Sequence, residues 1–122
     1  MLIPFLISKI HNARVTGANT DYSGSIAIDA EIMKQAGLRE FQKVEIYNIT
    51  NGNRFSTYII TAESGSGDIV LNGAAAHKVS IGDRIIIAAY GLLDERELNS
   101  LNSTILLMDE NNRVERVISG KL

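Results

Sequence analysis

Lys43-Val44-Glu45-Ile46-Tyr47-Asn48-Ile49-Thr50-Asn51-Gly52-Asn53-Arg54-Phe55-Ser56-Thr57-Tyr58-Ile59-Ile60-Thr61-Ala62 carries the clearest secondary-structure signal in the chain. Two runs rich in β-branched and aromatic residues, Lys43–Ile49 and Arg54–Ala62, flank Asn51-Gly52. Such side chains suit the pleated, half-buried surface of a sheet. Asn-Gly supplies the positive φ values of a type I′ turn, so the stretch reads as a β-hairpin. Working outward, short runs of similar composition read as strands at Leu2–Ser8, Ser25–Ile28, Asp68–Asn72, Arg84–Tyr90, Thr104–Met108 and Arg113–Ile118. The segment around Arg14–Thr16 is a candidate for one more, and Asn111-Asn112 reads as the turn of a second hairpin. Two short helices interrupt the strands. Asp29 can cap Ala30–Ala36, which Gly37 ends in the left-handed conformation. Asp94 with Glu97 has the spacing of a capping box opening Glu95–Leu101. Neither helix is long enough to bury much, so the strands must make the core. Many short strands in one small chain point to a mostly β, small closed barrel with two short helices, in which closure leaves no open edge.

Composition narrows the function. At 122 residues, a single domain over 1–122 is expected. With 45% hydrophobic and 21% charged residues the chain has the balance of a folded globule, which argues against disorder. No cysteine is present, so disulfides, thiolate nucleophiles and cysteine-ligated metals are excluded. Two histidines, His11 and His77, make a multi-histidine metal site unlikely on numbers alone, and no metal is expected. Twelve basic against fourteen acidic residues leave no electrostatic footprint for nucleic acid. The apolar run Met1–Ile7 is too short for a membrane helix and lacks the basic start of a signal peptide. A soluble cytoplasmic protein, with neither membrane nor nucleic-acid partner, is the default expectation.

The chemistry begins at Asp21-Tyr22-Ser23-Gly24-Ser25-Ile26. Taken alone, Gly-Ser is an ordinary turn before a strand. Glycine before serine also lets the peptide adopt dihedrals closed to other residues. The Ser25 hydroxyl can then attack the Gly24 carbonyl carbon in an N→O acyl shift. Elimination across Ser25 would cut the chain, and hydrolysis of the resulting dehydroalanine would leave a pyruvoyl group at the new N-terminus.

Four further segments accompany this one: Lys9-Ile10-His11, Asn51-Gly52-Asn53-Arg54-Phe55-Ser56-Thr57-Tyr58, Asn72-Gly73-Ala74-Ala75-Ala76-His77, and Ile81-Gly82-Asp83 ahead of Arg84–Tyr90. In order and spacing, from the first strand to about Tyr90, the sequence resembles the pyruvoyl-dependent aspartate 1-decarboxylases. The resemblance implies a double-psi β-barrel and decarboxylation of L-aspartate to β-alanine, which feeds pantothenate and coenzyme A synthesis. It implies self-cleavage between Gly24 and Ser25 into a β chain, 1–24, and an α chain, 25–122. The cofactor is then a pyruvoyl group made covalently from Ser25, with no metal and no diffusible cofactor. The group condenses with the substrate amine to form a Schiff base and draws off the electron pair left by departing CO₂, the work pyridoxal phosphate does elsewhere. The resemblance also implies a homotetramer with sites at subunit interfaces, and leaves open whether a helper protein assists maturation.

The same resemblance assigns roles, each beside a plainer reading. Arg54 would grip a substrate carboxylate in a bidentate way, and Lys9 would hold the second; otherwise both are surface charges on strands. Tyr58 would return the proton after CO₂ leaves, since a phenol with a pKa of about 10 stays protonated at neutral pH. Thr57 would bind substrate and stabilise the oxyanion of the acyl shift. Asn72 would donate to the same oxyanion or to the pyruvoyl amide, and Gly73, Ala74 and Ala75 would offer backbone N–H groups to a carboxylate, unless they only form a tight turn. Strand alternation puts Arg54, Ser56 and Tyr58 on one face and Phe55, Thr57 and Ile59 on the other. Thr57 and Tyr58 then share a site only through a bulge, a strand end or a neighbouring subunit. Tyr22 either lines the site or positions the loop. His11 and His77 read as structural or interface residues, and the pairs Asp94-Glu95 and Asp109-Glu110 as a helix start and a turn. Two alternatives stand beside this reading: a non-catalytic barrel that binds a partner, and a pyruvoyl decarboxylase of another acidic amino acid. Glutamate is one methylene longer, a difference worth only about 1–3 kcal/mol in a pocket.

Overall fold

Asn51-Gly52 does lie in a hairpin connection, though not of the two-residue kind. The computed structural model describes residues 1–120; Lys121 and Leu122, the end of the expected domain, lie outside the described residues. In chain order the strands are β1 (Ile3–Arg14), β2 (Gly17–Asn19), β3 (Ser25–Asp29), β4 (Lys43–Asn48), β5 (Arg54–Ala62), β6 (Ile69–Asn72), β7 (Arg84–Leu93), β8 (Ser103–Met108) and β9 (Val114–Gly120). The helices are α1 (Ala30–Ala36) and α2 (Glu95–Leu98), with a 3₁₀ helix over Gly73–Lys78. Between β4 and β5 the Asn48 N–H donates to the Asn53 carbonyl at 2.8 Å, enclosing four residues of which only Gly52 has a positive φ, 80°. The Asn48 side chain explains the longer loop. Its oxygen accepts the N–H groups of Thr50 and Asn51 at 2.9 and 3.3 Å, stabilising a wider turn.

The mostly β architecture with two short helices follows the sequence reading, with shifted boundaries. β1 continues past Ser8 to Arg14, because bulges between Leu6 and Ser8 and between Ile10 and Ala13, with Asn12 at φ 72°, break the alternation without ending the pairing. The extra strand falls at Gly17–Asn19, not Arg14–Thr16. Asp29 caps α1 and Gly37, at φ 71°, closes it. The Asp94–Glu97 capping box is formed, but α2 stops at Leu98 and only single turns continue to Leu101. The stretch from Gly73 winds into the 3₁₀ helix.

Sheet order is β2-β6-β3-β5-β4-β7-β1-β8-β9. Because β1 and β2 are one run of chain, this order closes on itself. At the joint the Val15 N–H donates to the Asp83 carbonyl, beside β7, at 2.9 Å. The next N–H, that of Thr16, donates to the Ile69 carbonyl in β6 at 2.8 Å. The interior is filled by Ile10, Ile26, Ile28, Ile46, Ile59, Ile69, Leu71, Ile85, Ile87 and Leu106, all fully buried. Each contributes about 1.5–3 kcal/mol by leaving water. The β8–β9 hairpin hangs outside the barrel on a parallel pairing of β8 with β1. Closure therefore does not remove every edge, as the barrel argument expected: β9 remains one, and most of its residues are exposed. Asn112 fastens the hairpin by accepting the Arg14 N–H at 2.7 Å and donating to the carbonyls of Arg14 and Gly67, each at 2.8 Å.

Candidate active site

β3 is the strand that matters. It lies between β5, to which it runs parallel, and β6, to which it runs antiparallel. Its first residue, Ser25, pairs with Asn72, the last residue of β6, while its ladder with β5 begins only at Ile26 opposite Ile59. The Arg54–Tyr58 half of β5 thus has β4 on one side and, among the described residues, no strand on the other. An open cleft of about 370 Å³ runs along that bare edge, lined by Gly24, Phe55, Ser56, Thr57, Tyr58, Ala74, Ala75 and Lys78. Gly24, the residue before Ser25, is one of the lining residues. Gly24 is exposed to the cleft, whereas Ser25 is 2% exposed. The Ser25 hydroxyl donates to the Ser23 carbonyl at 3.3 Å and accepts from the Asn72 amide nitrogen at 3.1 Å. The Asn72 Oδ1 is buried with no partner.

The bare edge also answers how adjacent residues reach one place. The β4–β5 ladder is continuous from Lys43–Tyr58 to Tyr47–Arg54, and Thr57 is more buried than its neighbours Ser56 and Tyr58. Thr57 and Tyr58 therefore point to opposite faces with no bulge between them. Both line the cleft because it wraps the free edge of the strand. The Tyr58 ring rests against Phe41 with centroids 6.2 Å apart and planes at 48°. Gly24 itself does not adopt a left-handed φ, contrary to the use suggested for it; the positive φ at this junction belongs to Gly73, at 66°.

Lys9 and Arg54 are not among the residues lining this cleft. Lys9 is half-buried on β1, opposite Ala88 of β7 and Ile105 of β8. The Arg54 guanidinium lies 3.9 Å from the centre of the Tyr47 ring, and the Tyr47 phenol meets the Tyr90 phenol at 2.9 Å. That bond, together with burial, pushes the Tyr90 phenol up, against a downward pull from Arg54. Tyr22 is 66% exposed and does not line the cleft. His77 is exposed on the 3₁₀ helix. His11 has a buried Nδ1 without a partner; burial and then the positive charges of Lys9 and Arg84 hold its pKa below the ordinary histidine value. Sequence reasoning missed Lys78, the one cation lining the cleft among the described residues. Its carbonyl takes the side-chain amides of Asn48, Asn51 and Asn53 at 3.3, 3.1 and 3.1 Å. The three asparagines around Asn51-Gly52 were the available signal, since turn asparagines seek backbone partners.

Fold and site together define a small closed β-barrel with an open cleft lined by the glycine of a glycine–serine pair. The chain belongs to the aspartate decarboxylase family, whose model matches residues 1–115. It is 54% identical to an aspartate 1-decarboxylase of Saccharophagus degradans over 116 residues, 95% of this chain and 92% of that protein. It is 53% identical to an aspartate 1-decarboxylase of Sulfurimonas denitrificans, covering 98% and 99%. Among solved structures, a rationally designed protein is similar with a TM-score of 0.47 at 19% identity, over 73% of this chain and 97% of that one.

Proposed function

We propose that this protein decarboxylates L-aspartate to β-alanine, using a pyruvoyl group that it makes from its own Ser25, in the service of pantothenate synthesis in the cytoplasm. The observation that carries the reading is the setting of the Gly24–Ser25 pair: an exposed glycine that lines the cleft, followed by a buried serine whose hydroxyl is held by Asn72. The residues fit the group. The unpartnered Asn72 Oδ1 sits beside Ser25 and can accept from the amine that the acyl shift frees. In that shift the Ser25 Oγ bonds to the Gly24 carbonyl carbon and the Gly24–Ser25 C–N bond breaks. The hydroxyl proton ends on the Ser25 amine. Loss of the Ser25 Cα proton with departure of the Gly24 carboxylate then separates the chains after residue 24, and water replaces the amine nitrogen, released as ammonia.

Once formed, the pyruvoyl group would supply a sink for the electron pair left on the substrate Cα as its α-carboxylate departs as CO₂. The chain's own residues do the rest. Thr57 lies on the inward face of β5 at the cleft and offers a hydroxyl to an oxyanion there. Tyr58, whose side chain lines the cleft, returns the proton. Ala74 and Ala75, small residues in the first turn of the 3₁₀ helix, present N–H groups without intrahelical partners to a carboxylate. Lys9 and Arg54 serve as carboxylate binders from a neighbouring subunit of a homotetramer, a reading supported by their absence from this chain's own cleft. Self-cleavage is tested by intact mass under denaturing conditions. Two fragments splitting after Gly24, and an uncut, inactive Ser25→Ala variant, are expected. A wild-type chain that stays whole overturns the reading. Parallel turnover of aspartate and glutamate decides the substrate, and mixing Arg54→Ala with Ser25→Ala chains tests the shared site by partial recovery of activity.

A further inference from the structure

The position that conforms least to ordinary backbone geometry at the cleft is across from the bond to be cut, not in it. Gly73 has φ 66°, and it directly follows Asn72, whose side chain holds Ser25. An ideal Cβ built on Gly73 would lie 2.6 Å from the Gly24 nitrogen, 2.7 Å from the Gly24 Cα and 2.8 Å from the Tyr22 carbonyl oxygen. All three are backbone atoms, so no rotamer change makes room. To regain an ordinary contact of 3.4 Å the Gly24 backbone would have to retreat by most of an ångström. We propose that Gly73 is a positioning residue for self-cleavage: its missing side chain is the space in which the Gly24 backbone lies, and this holds the Gly24 carbonyl carbon within reach of the Ser25 hydroxyl. Asn72 and Gly73 then act as one unit, the first setting the nucleophile and the second setting the carbon it attacks.

This inference rests on the self-cleavage reading above. The acyl shift needs its reacting atoms about 3–3.5 Å apart, and a displacement of about 1 Å can cost 100-fold in rate. The glycine most useful for comparison is Gly37, which has nearly the same φ, 71°, but open space where a Cβ would go. Gly37→Ala therefore imposes the backbone strain alone, far from the cleft. Gly73→Asn adds the Cβ while tolerating the left-handed conformation better than alanine does.

The experiment follows full-length precursor by intact mass over time, with hydroxylamine added to aliquots to trap the Ser25 ester. Wild type and Gly37→Ala are expected to cleave at rates within about twofold of each other. Gly73→Ala and Gly73→Asn are expected to cleave about 100-fold more slowly and to show no build-up of hydroxylamine-labile ester. If Gly73→Ala does not fold, Gly73→Asn alone decides. Cleavage of Gly73→Asn near the wild-type rate overturns the proposal, because the added side chain would then be harmless. Accumulation of ester in either variant also overturns it, because the glycine would then act after the shift. An uncut wild type instead sinks the underlying reading, so the two failures are told apart.

Discussion

Replacing Asp29 by asparagine removes one charge and almost no volume, and its effect can be worked out atom by atom. Asp29 is 1% exposed at the end of β3. Its Oδ1 accepts the N–H groups of Glu31 and Gly65, both at 2.9 Å, and its Oδ2 accepts that of Gly67 at 2.8 Å. The carboxylate thus caps α1 and pins the loop between β5 and β6 at once. An asparagine can keep its oxygen toward Glu31 and Gly65 but must then turn its amide group toward the Gly67 N–H. A buried donor facing a donor costs about 1–3 kcal/mol, and the two surviving bonds lose the strength that charge gave them. A total near 3 kcal/mol is expected, or about 10 °C in midpoint for a chain of this size. Protonation should mimic the substitution. Burial alone would raise the Asp29 pKa, but the Gly67, Gly65 and Glu31 N–H groups and the Arg113 charge outweigh it, and the carboxyl is held below its ordinary range. The stabilisation is therefore fully present above the unfolded aspartate value of about 3.9 and is lost as pH falls through the lower folded value. Urea unfolding of both proteins at one concentration, at pH 7 and at pH 3, should show the gap between them shrinking in acid. Hydrogen exchange at Gly65 and Gly67 should quicken in Asp29→Asn. A gap that does not change with pH, or unaltered protection of Gly67, refutes the reasoning.

Three more outcomes are expected. Tyr58→Phe should still cleave after Gly24 but lose about 100-fold or more in β-alanine release with KM little changed, because the ring can still pack on Phe41 while the proton donor is gone; coupled assay of verified cleaved protein checks this. Asn112→Ala should cost about 2–4 kcal/mol by removing three hydrogen bonds, one buried and two partly buried, and should loosen the β8–β9 hairpin before the barrel, visible as faster exchange at Arg14 than at Ile87. His11 should titrate below 6.5 in a proton NMR titration, remaining neutral at pH 7, because burial and the charges of Lys9 and Arg84 oppose its protonation.

Legibility in the sequence followed how local each feature's cause was. α1 could be placed to the residue, because Asp29 and Gly37 bracket it and both act within one helical turn. The turn type at Asn51-Gly52 could not, because it depends on Asn48, whose side chain reaches across the loop. β1 ran six residues beyond its expected end because bulges were needed for one strand to pair with both β7 and β8. Of the site, Gly24, Thr57, Tyr58, Ala74 and Ala75 line one cleft, and alternation along β5 correctly separated Thr57 from Tyr58. What alternation could not contain was the absence of a strand beside Arg54–Tyr58, a product of where β3 begins. Lys78 was invisible for a similar reason: a 3₁₀ helix of small residues carries it to the cleft, and no periodic pattern marks so short an element.

The two ends of β3 are built to opposite specifications, and on the proposed self-cleavage the contrast explains how the chain would break without coming apart. At the Asp29 end every carboxylate oxygen is engaged and the strand is tied to a helix and a loop. At the Ser25 end the serine hydroxyl makes a long 3.3 Å bond to a carbonyl two residues away, the asparagine beside it keeps an acceptor unused, and the neighbouring β5 edge is bare. A fully satisfied Ser25 end would resist the rearrangement that chemistry there demands, since each new bond would have to displace an old one. Between the ends, Ile26 and Ile28 are fully buried in the core. After a cut at Gly24, β3 becomes the first strand of the new chain, and its hold on the barrel runs through Ile26, Ile28 and Asp29, none of which touches the broken bond. On the proposed mechanism the polar bonds of Asp29 would matter to the reaction by keeping the new terminus in place, where a frayed strand end would carry the reactive group away from Thr57 and Tyr58.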